Sequence, residues 1–320
     1  MIKKIHETFI ISEDYLHQRL DQALAKLLPD FSRTQIKEWI ESGSVLVNQQ
    51  ITKSKLRLKG GETVTVAVSL LPPVQSIAQN IPLSIVYEDA ELLIINKPAS
   101  MVVHPGAGNK DQTLLNALLF HDPQLQALPR AGILHRLDKD TTGLLIIAKT
   151  LGSLKKLSIQ LKKHTIVREY QGVVYGRIIS GNTIDAPIGR HPTQRTHMAV
   201  IETAKAAVTH YRVIERFRAH TLLKIRLETG RTHQIRVHMA HVRHPIVGDT
   251  TYGGRIQFAK GSHPALIQTL RQFKRQALHA YALELVHPVT HQTMRWEAAL
   301  PEDMQQLIHA LRVDNELHSA

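Results

Sequence analysis

Asp138 stands between Arg136 and Lys139 in HRLDKDTTGLLIIAKT (residues 135–150), just before an apolar run. The run reads as a buried strand, and Asp is a poor strand former. A carboxylate at a strand end can be presented to a cleft on a rigid support, and cations on both sides favour its charged form. Partly desolvated, it is a nucleophile toward a sugar C1′ or an electrophilic base carbon. The competing reading is an Asx turn capped by Thr141 or Thr142. Asp140 adds a second carboxylate, and such pairs serve glycoside hydrolysis or divalent-metal binding. Two residues apart on a strand they would share a face, but DKDTTG reads more as a loop, which need not hold them together.

A second dense stretch is ETGRTHQIRVHMAHVRHP, residues 228–245. Gly230 and Thr232 resemble a helix entry, after which Ile235, Met239 and Val242 form an apolar stripe. Arg231, His233, Gln234, Arg236, His238 and His241 remain as polar groups. No His-Glu-x-x-His pattern is present and no Asp or Glu lies between residues 229 and 248, so no metal site is expected. A cationic helix start facing phosphate or the Asp138 carboxylate is expected instead. Tyr170, in REYQG with Arg168 and Glu169, reads by itself as a core residue of a strand. The basic loop HPTQRTHMAV, residues 191–200, reads as solvated or substrate-facing.

These residues need a frame. In the N-terminal part, Leu16, Leu20, Leu24 and Leu27 recur at helical spacing. Ser32 and Gln35 suggest a capping box for a second helix with Ile36, Trp39 and Ile40 inward and Gly43 as its stop. SVLVN and ETVTVAV then alternate as strands, with Val64, Val66 and Val68 on one face. Residues 69–82 carry three prolines and no charge and read as a linker. Beyond them come strands at LSIVYEDAELLIINKP, GILHRLD, GLLIIAK, REYQGVVYG, AVTHYRVIERF and TLLKIRLET. A helix is read at LLNALLFH, and an amphipathic one with Leu154, Leu157 and Leu161 inward. Short connections between successive strands predict an α+β chain: a small unit of two helices plus short strands, then a domain on a largely antiparallel mixed sheet with flanking helices and a central cleft. The expected boundaries are 1–70, a linker at 71–82, 83–312 and a C-terminal tail at 313–320.

The chain has 320 residues, with 40 Lys and Arg against 27 acidic residues and a formal net charge of +13. That excess points to a polyanionic partner. Arg19, Arg33, Lys37, Lys53, Lys55, Arg57 and Lys59 give the small N-terminal unit a dense cationic surface suited to tracking phosphates. Cysteine is absent, which excludes disulfides, thiolate metal sites and a cysteine nucleophile. Charges are scattered through the first residues, unlike a secretory signal, and no apolar stretch approaches the roughly 20 residues that span a bilayer. A soluble, cytoplasmic protein is expected.

RLDQAL, SRTQIKEWIESGSVLVN and KLRLKGGETVTV together resemble the S4 RNA-binding domain. INKPASMVVHPG, HRLDKDTTGLLIIAKT, REY and GRTHQIRVHMAHVRHPIVGDTTYGG resemble, in order, the pseudouridine synthases that modify ribosomal RNA. The resemblance spans most of residues 82–312; one departure is Gln112, where relatives usually have Gly. It implies that Asp138 is the catalytic aspartate and Tyr170 the tyrosine that stacks on uracil and is a candidate base for the C5 proton. It further implies that Arg236 pairs with the aspartate and that Arg136 fills the gap left by a flipped base. Arg19, Arg33, Lys37, Lys53 and Arg231 are the candidate RNA contacts. Breaking C1′–N1 and rejoining through C5 oxidises nothing and carries no group away, so no cofactor is expected. The implied substrate is 23S rRNA, free or in an assembling large subunit, with the helix 69 stem-loop as target. No membrane or obligate protein partner is expected. Two rival readings are a non-catalytic RNA-binding or ribosome-assembly factor and a metal-dependent nuclease using Asp138, Asp140 and the histidines.

Overall fold

A computed structural model describes residues 3–29, 31, 33–70, 77–106, 108–194 and 196–318. The Ser32 capping box and linker residues 71–76 lie outside the described residues. The chain divides into two compact units, Met1–Gln75 and Ser76–Ala320.

The first unit comprises β1 (Lys3–Ile10), α1 (Leu20–Leu27), α2 (Arg33–Glu41), β2 (Val45–Val47), β3 (Gln50–Ile51) and β4 (Thr63–Leu70). Its antiparallel sheet has the order β1-β4-β2-β3. Leu20, Leu24, Ile36, Trp39, Ile40, Val64, Val66 and Val68 close one core. Leu16 is not on α1. It follows a single 3-10 turn and is exposed, because the chain turns at His17, which has φ +62°, before the helix starts. Asp21 is buried and receives Arg19 and Arg33 at 2.8–3.0 Å. Burial alone would raise its pKa, but hydrogen bonds from Arg33 and Arg19 hold it below the usual carboxylate range. Lys37 and Lys53 are exposed, Lys37 forming an i,i+4 pair with Glu41 at 3.4 Å.

The second unit comprises β5 (Ile85–Glu88), β6 (Leu92–Lys97), α3 (Leu114–His121), β7 (Thr142–Ala148), α4 (Leu151–Lys162), β8 (Val167–Tyr175), β9 (Asn182–Asp185), β10 (Ile188–Arg190), β11 (Met198–Val200), β12 (Val208–Arg216), β13 (His220–Leu227), α5 (Gln234–His241), α6 (Pro264–Gln272), β14 (Leu278–Val286), β15 (Thr293–Glu297) and α7 (Glu302–Glu316). The large sheet runs β5-β6-β7-β14-β8-β13-β12-β9, with β15 also on β14. Only the β7–β14 pairing is parallel among the described strands. The architecture is α+β.

β7 explains the apolar run after Asp138. Leu145 and Ile147 enter the main core, while Leu144, Ile146 and Ala148 enter a second core with Leu157 of α4. Both faces are covered, so the strand is apolar throughout rather than alternating. GILHRLD, by contrast, is not a strand: only Ile133 makes a bridge, to Ile147. Gly132 has φ +75°, and a Cβ there would stand 1.9 Å from the Ala148 carbonyl oxygen. The chain turns there, sending its polar residues toward a cleft.

Two expected boundaries differ from the structure. Residues 77–82 pack on the second unit: Asn116 Nδ2 donates to the Ile77 carbonyl, and Gln79 Oε1 accepts from the Gln112 amide, both at 2.8 Å. At the other end α7 runs past residue 312, because buried Asp314 accepts from the His263 amide at 2.6 Å and from Arg218 at 3.2 Å.

Gln112 has φ +55°, the left-handed region that favours Gly. Gln112→Gly is expected to stabilise the protein by about 0.5–1 kcal/mol, since the Gln79 bond uses only the backbone. A rise in Tm of the variant checks this; a fall would show that its side chain contributes more than the backbone strain removes.

Candidate active site

Asp138 lies in a loop tied at both ends. Before it, the Ile146 amide donates to His135 Nε2 at 3.3 Å. After it, the Thr141 amide closes a turn on the Asp138 backbone carbonyl at 3.1 Å. Buried Lys97, at the end of β6, donates to the carbonyls of Pro98, Met101 and Lys139 at 2.7, 3.0 and 2.9 Å. Burial pushes its ammonium down to about 7, opposed by the charges of Asp140 and Asp138. Among the described residues no backbone amide donates to the Asp138 carboxylate, so it forms no Asx turn. Its side chain is 15% exposed and receives Arg236 Nη1 on Oδ2 at 3.0 Å.

Arg236 comes from α5, whose N-cap His233 has left-handed backbone. Its Nε and Nη2 donate to Asp249 at 2.7 and 2.9 Å, leaving Nη1 for Asp138. Burial works against the guanidinium charge, but Asp249 and then Asp138 outweigh it and raise the Arg236 pKa. Asp249 Oδ1 also accepts the amides of Thr251 and Tyr252 at 2.9 and 3.0 Å. The Tyr252 ring sits 5.1 Å from the Arg236 guanidinium carbon, and its hydroxyl lies 2.9 Å from both the Met198 amide and His233 Nδ1. His233 Nε2 is 3.9 Å from Asp138 Oδ1. Burial lowers the His233 pKa, with Asp138 opposing.

Asp138 stands where two lobes of one cleft meet, about 840 and 480 Å³, both lined by His104, Arg136, Leu137, Asp138, His233 and Arg236. The larger lobe is of a size that holds small-molecule ligands. Tyr170 of β8 lines that lobe, and burial pushes its phenol above the ordinary range, with Arg168 opposing and Asp138 adding. Arg136 is exposed and has no hydrogen bond or ion pair among the described residues. Arg231 lines the larger lobe and donates to the Ala206 carbonyl at 3.0 Å. The structure thus brings Asp138, Tyr170, Arg236, Arg136 and Arg231 to one cleft. Arg19, Arg33, Lys37 and Lys53 belong to the other unit.

Much of the histidine stretch does structural work. His238 is buried, with Nδ1 2.8 Å from Thr209 Oγ1 and Nε2 2.9 Å from the Ala186 carbonyl. Gln234, one of the polar groups left off the apolar stripe, is buried too, its amide donating to the Val208 carbonyl and Thr209 Oγ1 at 3.0 Å each. Among the described residues no cluster of three or more His, Asp and Glu side chains could hold a metal ion. Asp140 lines the smaller lobe, with Ser100 Oγ at 3.4 Å.

Lys97, Asp249 and Tyr252 are functional residues that sequence pattern alone does not single out. All three sit inside the quoted motifs INKPAS and VGDTTYGG. The available signal is, for Lys97, a charge closing an apolar strand and, for Asp249 and Tyr252, a charge and an aromatic in a stretch with no helical or strand period.

A family model described as RNA pseudouridylate synthase matches residues 91–241, and an S4 domain model matches residues 18–64. The ribosomal large subunit pseudouridine synthase D of Escherichia coli (strain K12) is 54% identical over 99% of this chain and 98% of its own. Its counterpart from Pasteurella multocida (strain Pm70) is 54% identical over 95% of this chain and 94% of its own. The chain belongs to the RNA pseudouridylate synthase family. Two solved structures share the fold of this family. Human RNA pseudouridylate synthase domain containing 4 gives a TM-score of 0.55 at 23% identity, covering 72% of this chain and 93% of that one. Human RNA pseudouridylate synthase domain containing 1 gives 0.52 at 26%, covering 73% and 96%. Asp138, Tyr170 and Arg236 all fall within the residues matched to the synthase family, whereas Asp249 and Tyr252 lie just beyond them.

Proposed function

We propose that this pseudouridine synthase acts on 23S ribosomal RNA, with the helix 69 stem-loop as target and Asp138 as the catalytic carboxylate. Support for the RNA class comes from the names of the full-length relatives. The helix 69 target is what the sequence resemblance implies, and a ribosomal substrate puts the work in the cytoplasm. One observation carries the assignment of Asp138: its carboxylate opens into the cleft at the meeting of the two lobes, oriented by Arg236 at 3.0 Å.

A uridine inside a stem cannot reach that carboxylate, so the base must be turned out, and a loop target makes this cheaper. Arg136, exposed at the cleft and unpaired, is placed to occupy the space the base leaves. Attack at C1′, attack at C6 and removal of the C2′ proton all draw on the Asp138 carboxylate. In each case C1′–N1 breaks, uracil turns, C5 joins C1′, the C5 proton leaves and N1 gains one; an Asp138 ester formed at C1′ or C6 breaks again, and a proton taken from C2′ returns to it. A buried phenol with a raised pKa is a poor acceptor for the C5 proton. We therefore assign Tyr170 to stacking on uracil, and the C5 proton to Asp138 once its carboxylate is released. Mapping pseudouridines in rRNA from cells lacking this gene tests the whole reading. Loss of modification in helix 69 is expected; an unchanged pattern rejects the target.

The S4 domain supplies the other contact with RNA. Arg19 and Arg33 are partly engaged in neutralising Asp21, so Lys37 and Lys53 make the cleaner probe. The double substitution Lys37→Gln, Lys53→Gln is expected to weaken RNA binding several-fold. It should also reduce the slope of log Kd against log salt by about 0.7 per lost contact. Unchanged affinity and slope would remove these lysines from the RNA interface.

A further inference from the structure

Arg168 of β8 is 6% exposed, so most of its side chain is removed from water. Among the described residues of this unit the other buried Lys and Arg are satisfied, Arg236 by two carboxylates and Lys97 by three carbonyl oxygens. Arg168 has no carboxylate and only two long carbonyl contacts. Its Nη2 reaches the carbonyls of Glu228 and Thr229 only at 3.4 Å, and its Nε has no acceptor. The Glu228 carboxylate is engaged with His210 Nε2 at 2.6 Å. A guanidinium with five donors, buried without a carboxylate, is costly unless an anion completes it.

Its surroundings fit such an anion. His135 also has an unpartnered buried nitrogen, Nδ1. Burial and then the Arg168 charge keep this ring neutral. Because its Nε2 accepts the Ile146 amide, the proton is assigned to Nδ1, which is therefore a second free donor. Both residues line the larger lobe with Tyr170 and Asp138. That lobe is walled by six Arg and Lys side chains against two carboxylates, Asp138 and Glu228. A Cβ at Gly230 would stand 2.8 Å from Arg168 Nη1, so the glycine leaves the guanidinium its room. Arg168 and Tyr170 are two apart on one strand, about 6.6 Å along it, within the length of one nucleotide. A neutral uracil oxygen would accept a hydrogen bond but leave the charge unbalanced; a phosphodiester does both.

We infer that Arg168, with the Nδ1–H of His135, forms a subsite for one phosphodiester of the RNA strand, next to the nucleotide turned into the cleft. This rests on the cleft being the nucleotide site. In an Asp138→Asn background, which separates binding from turnover, Kd is measured for a helix 69 stem-loop RNA and for versions carrying one neutral methylphosphonate at each linkage in turn. One linkage beside the target uridine should weaken binding about tenfold when Arg168 is present and add no further loss in Arg168→Gln. The salt slope of Arg168→Gln should fall by about 0.7. Arg168→Lys guards against misfolding: it should keep the salt slope and remain sensitive to that same linkage. Equal methylphosphonate penalties with Arg168 and Gln at every linkage, or an insensitive Lys variant, would overturn the subsite and leave Arg168 a brace for residues 228–229. Pseudouridine formation is assayed separately with Asp138 intact, and its absence would reject the proposed activity without altering the binding result.

Discussion

Asp138→Asn is expected to cut pseudouridine formation by at least about 10³-fold while RNA binding persists. Asn keeps the shape of the side chain and an oxygen for Arg236 Nη1, but it is neither a nucleophile nor a base. The fold should tolerate the change, because Arg236 keeps its two bonds to Asp249. Single-turnover assays and filter binding on one protein preparation separate the two effects. A non-catalytic RNA-binding factor would lose nothing on this substitution, so retained modification would reject Asp138 as the catalytic group. The nuclease alternative makes a different demand, namely strand scission abolished by a chelator. Intact RNA and unchanged pseudouridine yield in chelator are expected.

Asp249→Asn should lower stability by about 3–5 kcal/mol, the usual consequence of stripping a buried ion pair of one partner. The Asp249 side chain has no exposed surface, and it accepts two bonds from Arg236 and two from backbone amides. Asn offers one acceptor oxygen and turns an NH2 toward existing donors, leaving the Arg236 charge short of compensation. Burial alone would raise the Asp249 carboxyl, but hydrogen bonds and charge from Arg236 hold it below the usual range. A carboxyl depressed in the folded state contributes stability that is complete above its unfolded value of about 3.9 and is lost as pH falls through the lower folded value. The gap in unfolding free energy between parent and variant should therefore be widest near neutrality and narrow below about pH 4. Denaturant titrations at both pH values measure it. Equal stability at neutral pH would show that the Asp249–Arg236 pair contributes nothing net. In activity, the variant should lose kcat more than KM, because a loosened Arg236 no longer orients Asp138.

Local pattern carried much of this protein in its sequence. Apolar runs in LLIINK and GLLIIAK mark strands, the second as a buried one, and the structure covers both on two faces, where uninterrupted apolar residues have no water-facing partner to alternate with. Val64, Val66 and Val68 marked a one-sided strand by their period of two, and Leu20 and Leu24 a helix face. The Asp138 motif stood out because a charged residue broke such a pattern. Where period is absent, local pattern misleads: GILHRLD resembles a strand, yet Gly132 has φ +75° and turns the chain away. Only the tertiary structure decided which partner each charge has. Asp138 and Arg236 are 98 residues apart, and Asp249 lies 13 beyond the arginine. Buried Arg168 and Lys97 look like any surface cation on paper. Burial periodicity is written in neighbours along the chain, whereas ion-pair geometry is set by which loops the sheet order brings face to face.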